Sequence, residues 1–120
     1  MSRVPAVAIV DDDEAIREAL EDLMVVEGFD CQAFDGAAAF LADYDRTHFD
    51  CLITDVRMPG MSGIELLEYL RSLGSRLPVI VLTSVIDEQS RARSLALGAK
   101  AWLTKPAAEN VLLGELRRAI

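Results

Sequence analysis

Five groups capable of chemistry stand directly behind apolar runs: Asp11 and Asp12, Asp55, Thr83 and Lys105. The clearest case is the run 51–54, Cys-Leu-Ile-Thr, which delivers the carboxylate of Asp55 and is followed by the turn signal Met58-Pro59-Gly60. A charge directly after a buried strand is costly unless the site uses it. Three carboxylates brought together repel one another and raise each other's pKa values, and a bound cation removes the conflict. Oxygen-only donors with no His or Cys beside them select a hard ion; a few carboxylates plus water suit Mg²⁺ (or Mn²⁺) better than a Ca²⁺ cage or zinc. Beside such an ion Asp55 is an oxygen nucleophile toward phosphorus. The transferring group spreads charge over three equatorial oxygens, which the ion, the Lys105 ammonium and the Thr83 hydroxyl can divide among them. Singly, each residue has an ordinary explanation: acids decorating a helix start, a strand-end threonine, a solvated lysine. Their recurrence at successive strand ends carries the chemical reading.

Those groups meet only if their strands end on one rim. Residues 4–10 are apolar apart from Pro5 and read as a first strand, ending in Asp11-Asp12-Asp13-Glu14. A helix follows, capped by Asp13, with Ile16, Leu20, Leu23 and Met24 on one face and Gly28 as its stop. Residues 29–34 form a short, partly polar strand suited to an edge, and 36–44 an Ala-rich helix burying Phe40, Leu41 and Tyr44. Ser62-Gly63-Ile64-Glu65 has the capping-box pattern and opens a third helix, with Ile64, Leu67, Leu70 and Leu73 inward and Gly74 at its end. Residues 78–82 are apolar on both faces, as for a central strand covered by helices. Asp87 caps a fourth helix running to about Leu97; 99–103 is a fifth strand containing Trp102; 108–119 is a last helix burying Val111, Leu112 and Leu116. Five strand-then-helix units predict an α/β fold, a parallel sheet covered on both faces, with ligands beyond the carboxyl ends of the strands.

Composition narrows the function classes. A chain of 120 residues, 52% hydrophobic, suits one domain over 1–120 with a real core. Its apolar runs are too short to span a bilayer, and no basic segment precedes a long apolar one, so neither a membrane nor a secretion signal is expected. Cys31 and Cys51 are read as buried free thiols of a cytoplasmic protein, with a disulfide between them as the weaker alternative, and His48 as solvated in a loop. A net charge of −8 repels phosphate backbones, which argues against direct nucleic-acid binding. No Gly-rich phosphate loop follows any strand, so a flavin or dinucleotide site is remote.

In order and spacing, Val10-Asp11-Asp12-Asp13, Asp55-Val56-Arg57-Met58-Pro59-Gly60, Thr83-Ser84 and Lys105-Pro106 resemble the receiver domain of bacterial two-component response regulators, across the whole chain. The wording from Thr54 to Pro59 is most similar to the FixJ-type group, and the set is chemotaxis-receiver-like. The resemblance implies a flavodoxin-like (βα)5 fold with strand order 2-1-3-4-5. It implies Asp55 as phosphoacceptor, Mg²⁺ held by Asp12 and Asp55 directly, by Asp11 through water and by the Arg57 backbone carbonyl, and Lys105 paired with the phosphoryl group. Thr83 would move toward that group. Trp102 would swing inward behind it, where the family usually carries Tyr or Phe; a packed edge aromatic without a switching role is the alternative. Lys105-Pro106 would be cis, and Ala107 stands where Phe is common.

The partners implied are a histidine kinase or histidine phosphotransfer protein, and an output domain or downstream protein. The protein would assist its own phosphorylation and dephosphorylation rather than turn over a substrate. The switch surface would lie on the fourth helix, fifth strand and fifth helix. There Arg91, Arg93, Lys100, Arg117 and Arg118 among Asp87 and Glu109 suit salt bridges in a homodimer formed on phosphorylation, or simply a solvated face. Two rivals remain. One is a phosphorylation-independent receiver-like module, which the complete residue set disfavours. The other is an Asp-nucleophile phosphatase, disfavoured because Arg57 stands where such enzymes carry a second Asp. The sequence leaves the kinase, the signal and the output unnamed, and a stand-alone receiver and a piece of a longer regulator equally open.

Overall fold

The computed structural model describes residues 4–120. Strands β1 (Ala6–Val10), β2 (Asp30–Phe34), β3 (Cys51–Thr54), β4 (Val79–Thr83) and β5 (Ala101–Thr104) alternate with helices α1 (Glu14–Val26), α2 (Ala37–Tyr44), α3 (Gly63–Ser72), α4 (Glu88–Ala96) and α5 (Glu109–Ala119). All pairings are parallel and the order is β2-β1-β3-β4-β5, the flavodoxin-like arrangement. The partly polar β2 lies at an edge, and β3 and β4 are buried along their whole length.

Alternation along the strands splits the core in two. Ala8, Val10, Leu52, Val79 and Val81 face one way and pack with Phe40 of α2 and Leu66, Leu67 and Leu70 of α3. Val7, Ile9, Ile53, Ile80 and Leu82 face the other way, against Leu20 and Met24 of α1 and Leu112, Leu113 and Leu116 of α5. A Phe34–Phe40–Phe49 cluster, with ring centroids 5.6–6.1 Å apart, closes the first layer beside β2.

Local signals explain most boundaries. Asp13 caps α1 through the Ala15 amide, Ser62 and Glu65 form a complete capping box on α3, and Asp87 caps α4. Gly28, Gly74 and Gly98 take positive φ just past the ends of α1, α3 and α4.

The structure differs from expectation at particular places. β1 begins at Ala6 rather than at residue 4, and β5 at Ala101 rather than 99. The Ala99 amide is taken by the Ser94 carbonyl in closing α4, which delays the strand. On α3 the buried face is Gly63, Leu66, Leu67 and Leu70, while Leu73 is exposed. Steps of three drift about 60° around a helix, so a face counted 64, 67, 70, 73 rotates off the core. On α5 Val111 is exposed and Leu113 takes its place inside. Cys51 is buried but Cys31 is only half-buried; both are free thiols, and burial pushes each up to about 12. His48 is exposed, with Nε2 3.2 Å from Asp50 Oδ1. Among the described residues no helix is long and apolar enough to cross a membrane.

Candidate functional site

Register sets the site. Val10 lies opposite Thr54, so Asp11 and Asp55 leave adjacent strands at the same level. Pairing runs one step further: the Asp55 amide donates to the Val10 carbonyl (3.0 Å) and the Asp11 amide to that of Phe34 (3.1 Å). On the other side of β4, the Lys105 amide donates to the Thr83 carbonyl at 2.8 Å, which brings the lysine to the same rim. The Lys105–Pro106 bond is cis, as the resemblance implied.

The Lys105 side chain, 16% exposed, reaches between two carboxylates: Nζ lies 2.7 Å from Asp11 Oδ2 and 2.9 Å from Asp55 Oδ2. Burial alone would lower its pKa, but hydrogen bonds to Asp11 and Asp55, together with their charges, outweigh that and raise it. The second oxygens are also committed. Asp11 Oδ1 accepts the Asp13 amide (2.9 Å), and Asp55 Oδ1 accepts the Val56 amide (2.6 Å). Asp11 and Asp55 are buried and Asp12 is exposed, and each of the three offers an oxygen within 4.8 Å of the others. Three carboxylates therefore share the rim with one ammonium, which touches two of them. Two are fixed inside and one is open to solvent, all with hard oxygen donors. That set fits a hard divalent cation.

Thr83 ends β4 on this rim; it is wholly buried, and its Oγ1 accepts the Val85 amide at 3.2 Å. Trp102 lies opposite Val81 and packs half-buried on the face that holds Val81 and Val85, the face toward which Thr83 also points. Arg57 is exposed in the loop after β3. The Asp87 carboxyl sits below its usual range, chiefly through the Ser90 hydroxyl, with the Gln89 and Ser90 amides and the charge of Arg57 adding to it.

Two residues of the site escaped the sequence reading. A Cβ on Gly63 would lie 1.8 Å from the Asp55 carbonyl oxygen, so α3 passes against the Asp55 peptide only because this residue is glycine. Thr54 Oγ1 donates to the same oxygen at 2.9 Å. The available signal was a glycine at the first position of a well-capped helix, where it is a poor helix former. Arg17, the fourth residue of α1, donates from Nη1 to the Asp11 carbonyl at 2.9 Å. Its signal was a cation one turn into a helix start, where the dipole disfavours it.

Fold and site together define a doubly wound α/β protein with an acid-and-lysine pocket at the carboxyl edge of its sheet. Residues 7–117 match the family model of the response regulator receiver domain. The response regulator protein TodT of Pseudomonas putida is 38% identical over 118 residues, covering 98% of this chain and 52% of that protein. The transcriptional regulatory protein FixJ of Bradyrhizobium diazoefficiens is 37% identical over 112 residues, covering 93% of this chain and 55% of that one. Among solved structures, the chemotaxis protein CheY4 of Vibrio cholerae superposes with a TM-score of 0.90 at 28% identity, over 98% of this chain and 100% of that one. The chain belongs to the response regulator receiver domain family of two-component signalling. It spans about half the length of the relatives TodT and FixJ.

Proposed function

We propose that residues 1–120 act as one phosphorylation-dependent switch, with Asp55 as phosphoacceptor. The observation that carries this is the Lys105 ammonium lodged between Asp11 and Asp55, with three carboxylate oxygens converging beside it. The phosphoryl donor is a phosphohistidine on a histidine kinase or phosphotransfer protein. An Asp55 carboxylate oxygen bonds to phosphorus as the bond from phosphorus to the donor imidazole nitrogen breaks. The electron pair of that bond stays on the imidazole, and the product is an acyl phosphate on Asp55.

Asp11, Asp12, Asp55 and the Arg57 backbone carbonyl are the groups that would hold Mg²⁺ or Mn²⁺. When bound, the ion supplies neutralising charge for the phosphoryl oxygens. The remaining work belongs to the chain. Lys105 exchanges its Asp55 contact for a phosphoryl oxygen, and the Thr83 hydroxyl gives up the Val85 amide to donate to another. Trp102, on the same face, follows into the space behind Thr83. Those contacts exist only in the modified state, so they bias the surface of α4, β5 and α5 toward an output domain, a downstream protein or a second copy of the chain.

The test is incubation with Mg²⁺ and a small acyl phosphate, followed by intact mass. One added phosphoryl group is expected, absent without the metal and absent in Asp55→Asn. No adduct, or an equal one in Asp55→Asn, would sink the reading. Sedimentation of the phosphorylated chain, compared with the unmodified one, reads whether that surface pairs two copies.

A further inference from the structure

The three acids of the site are held in different ways. The four polar atoms that Asp11 presents are all engaged. Its amide donates to the Phe34 carbonyl, Oδ1 accepts from Asp13, Oδ2 accepts from Lys105, and its carbonyl accepts from Arg17. Asp55 is likewise pinned through its amide, its carbonyl and both carboxylate oxygens. Asp12 is exposed, and the peptides on either side of it are both held. The peptide after it is held by the Asp13 amide on Asp11 Oδ1, and the peptide before it by the Arg17 guanidinium on the Asp11 carbonyl.

We infer that Arg17 is a positioning residue for the divalent-cation site, acting through the Asp11–Asp12 peptide. Its hydrogen bond is charge-assisted and half-buried, hence among the stronger kind. Rotation of that peptide would carry the Cα–Cβ bond of Asp12 away from Asp11 and Asp55, and Arg17 opposes the rotation from a rigid helix. The arginine acts through the Asp11 carbonyl, which its Nη1 meets at 2.9 Å. Partners one step behind a metal ligand typically matter by roughly 10–100-fold in metal affinity. This inference rests on the cation reading above.

Electrostatics alone predicts the opposite sign. Arg17 is a positive charge close to a cation site, so deleting it should tighten binding if charge were its whole contribution. The experiment is calorimetric titration of the full chain with MgCl₂, on wild type, Arg17→Met and Arg17→Lys, with amide spectra of residues 11–13 and thermal melts recorded in parallel. We expect Arg17→Met to weaken Mg²⁺ roughly 10–100-fold, with the Asp12 and Asp13 amides displaced and the melt little changed. Arg17→Lys, which keeps a charged donor without the planar fork, should recover part of the loss. Equal or tighter binding in Arg17→Met overturns the positioning role, as does an equal loss in both variants with unmoved amides. Should Arg17→Met fail to fold, Arg17→Lys decides by the same two readouts. A wild type that takes no Mg²⁺ overturns the cation reading instead, and is thereby distinguished.

Discussion

At the residue scale the site is a charge problem solved provisionally by one lysine. Asp11 and Asp55 are buried carboxylates, and Lys105 bridges both. Its pKa is raised in the folded protein, because the two carboxylates outweigh the burial that alone would lower it. The ammonium's contribution to stability is fully present below the unfolded lysine value of about 10.4, and is lost as pH rises through the higher folded value. Lys105→Met lacks the ammonium at every pH. The stability advantage of wild type over Lys105→Met, measured by urea unfolding without divalent ions, should therefore be constant near neutrality and shrink above about pH 10.4. A gap that stays unchanged to pH 12 would mean that Lys105 stabilises through its packed stem rather than its charge.

At the scale of elements, α4 differs from its neighbours. Its only buried residue is Ser94, wholly inside, with Oγ lacking a hydrogen-bond partner among the described residues. The helix is held mainly from its ends. Asp87 caps the start, Arg71 of α3 donates to the Leu97 carbonyl just beyond the finish, and Arg93 pairs with Glu68. A buried hydroxyl without a partner retains its desolvation penalty, so Ser94→Ala should raise stability by about 1 kcal/mol in urea unfolding; a loss would show that the hydroxyl is satisfied in solution.

The same scale shows what was legible in advance. Asp11, Asp12, Asp55 and Lys105 could be read because each stands directly behind an apolar run, and a strand-helix alternation brings such ends to one rim. Strand order could not be read that way, since the alternation admits several doubly wound orders; it came through the resemblance. Gly63 and Arg17 were missed because each meets a backbone carbonyl from another element, a contact to which the glycine at a helix start and the cation one turn in point only indirectly. Leu73 and Val111 were misplaced by helix phase, where one residue of error turns a side chain by about 100°.

For the whole molecule, the pocket exists only when the sheet does. Asp12, Asp55 and Lys105 lie far apart along the chain and are joined by β1, β3 and the backbone bond from Lys105 to Thr83. The unfolded chain has no equivalent cluster, so a divalent ion that uses all three carboxylates must bind the folded state preferentially and stabilise it by mass action. Free ion at about a hundred times its Kd should add about 2.7 kcal/mol. For a domain of 120 residues that is on the order of 10 °C in Tm. The comparison that isolates the site is a melt with and without Mg²⁺ in wild type and in Asp12→Asn, at constant ionic strength. Asp12→Asn exchanges an anionic oxygen donor for a neutral amide oxygen and removes one repelling charge, so without metal it should melt no lower than wild type, and with metal it should gain far less. An equal Mg²⁺ shift in both proteins would place the ion on the general acidic surface, which a net charge of −8 also provides, rather than among the three strand-end carboxylates.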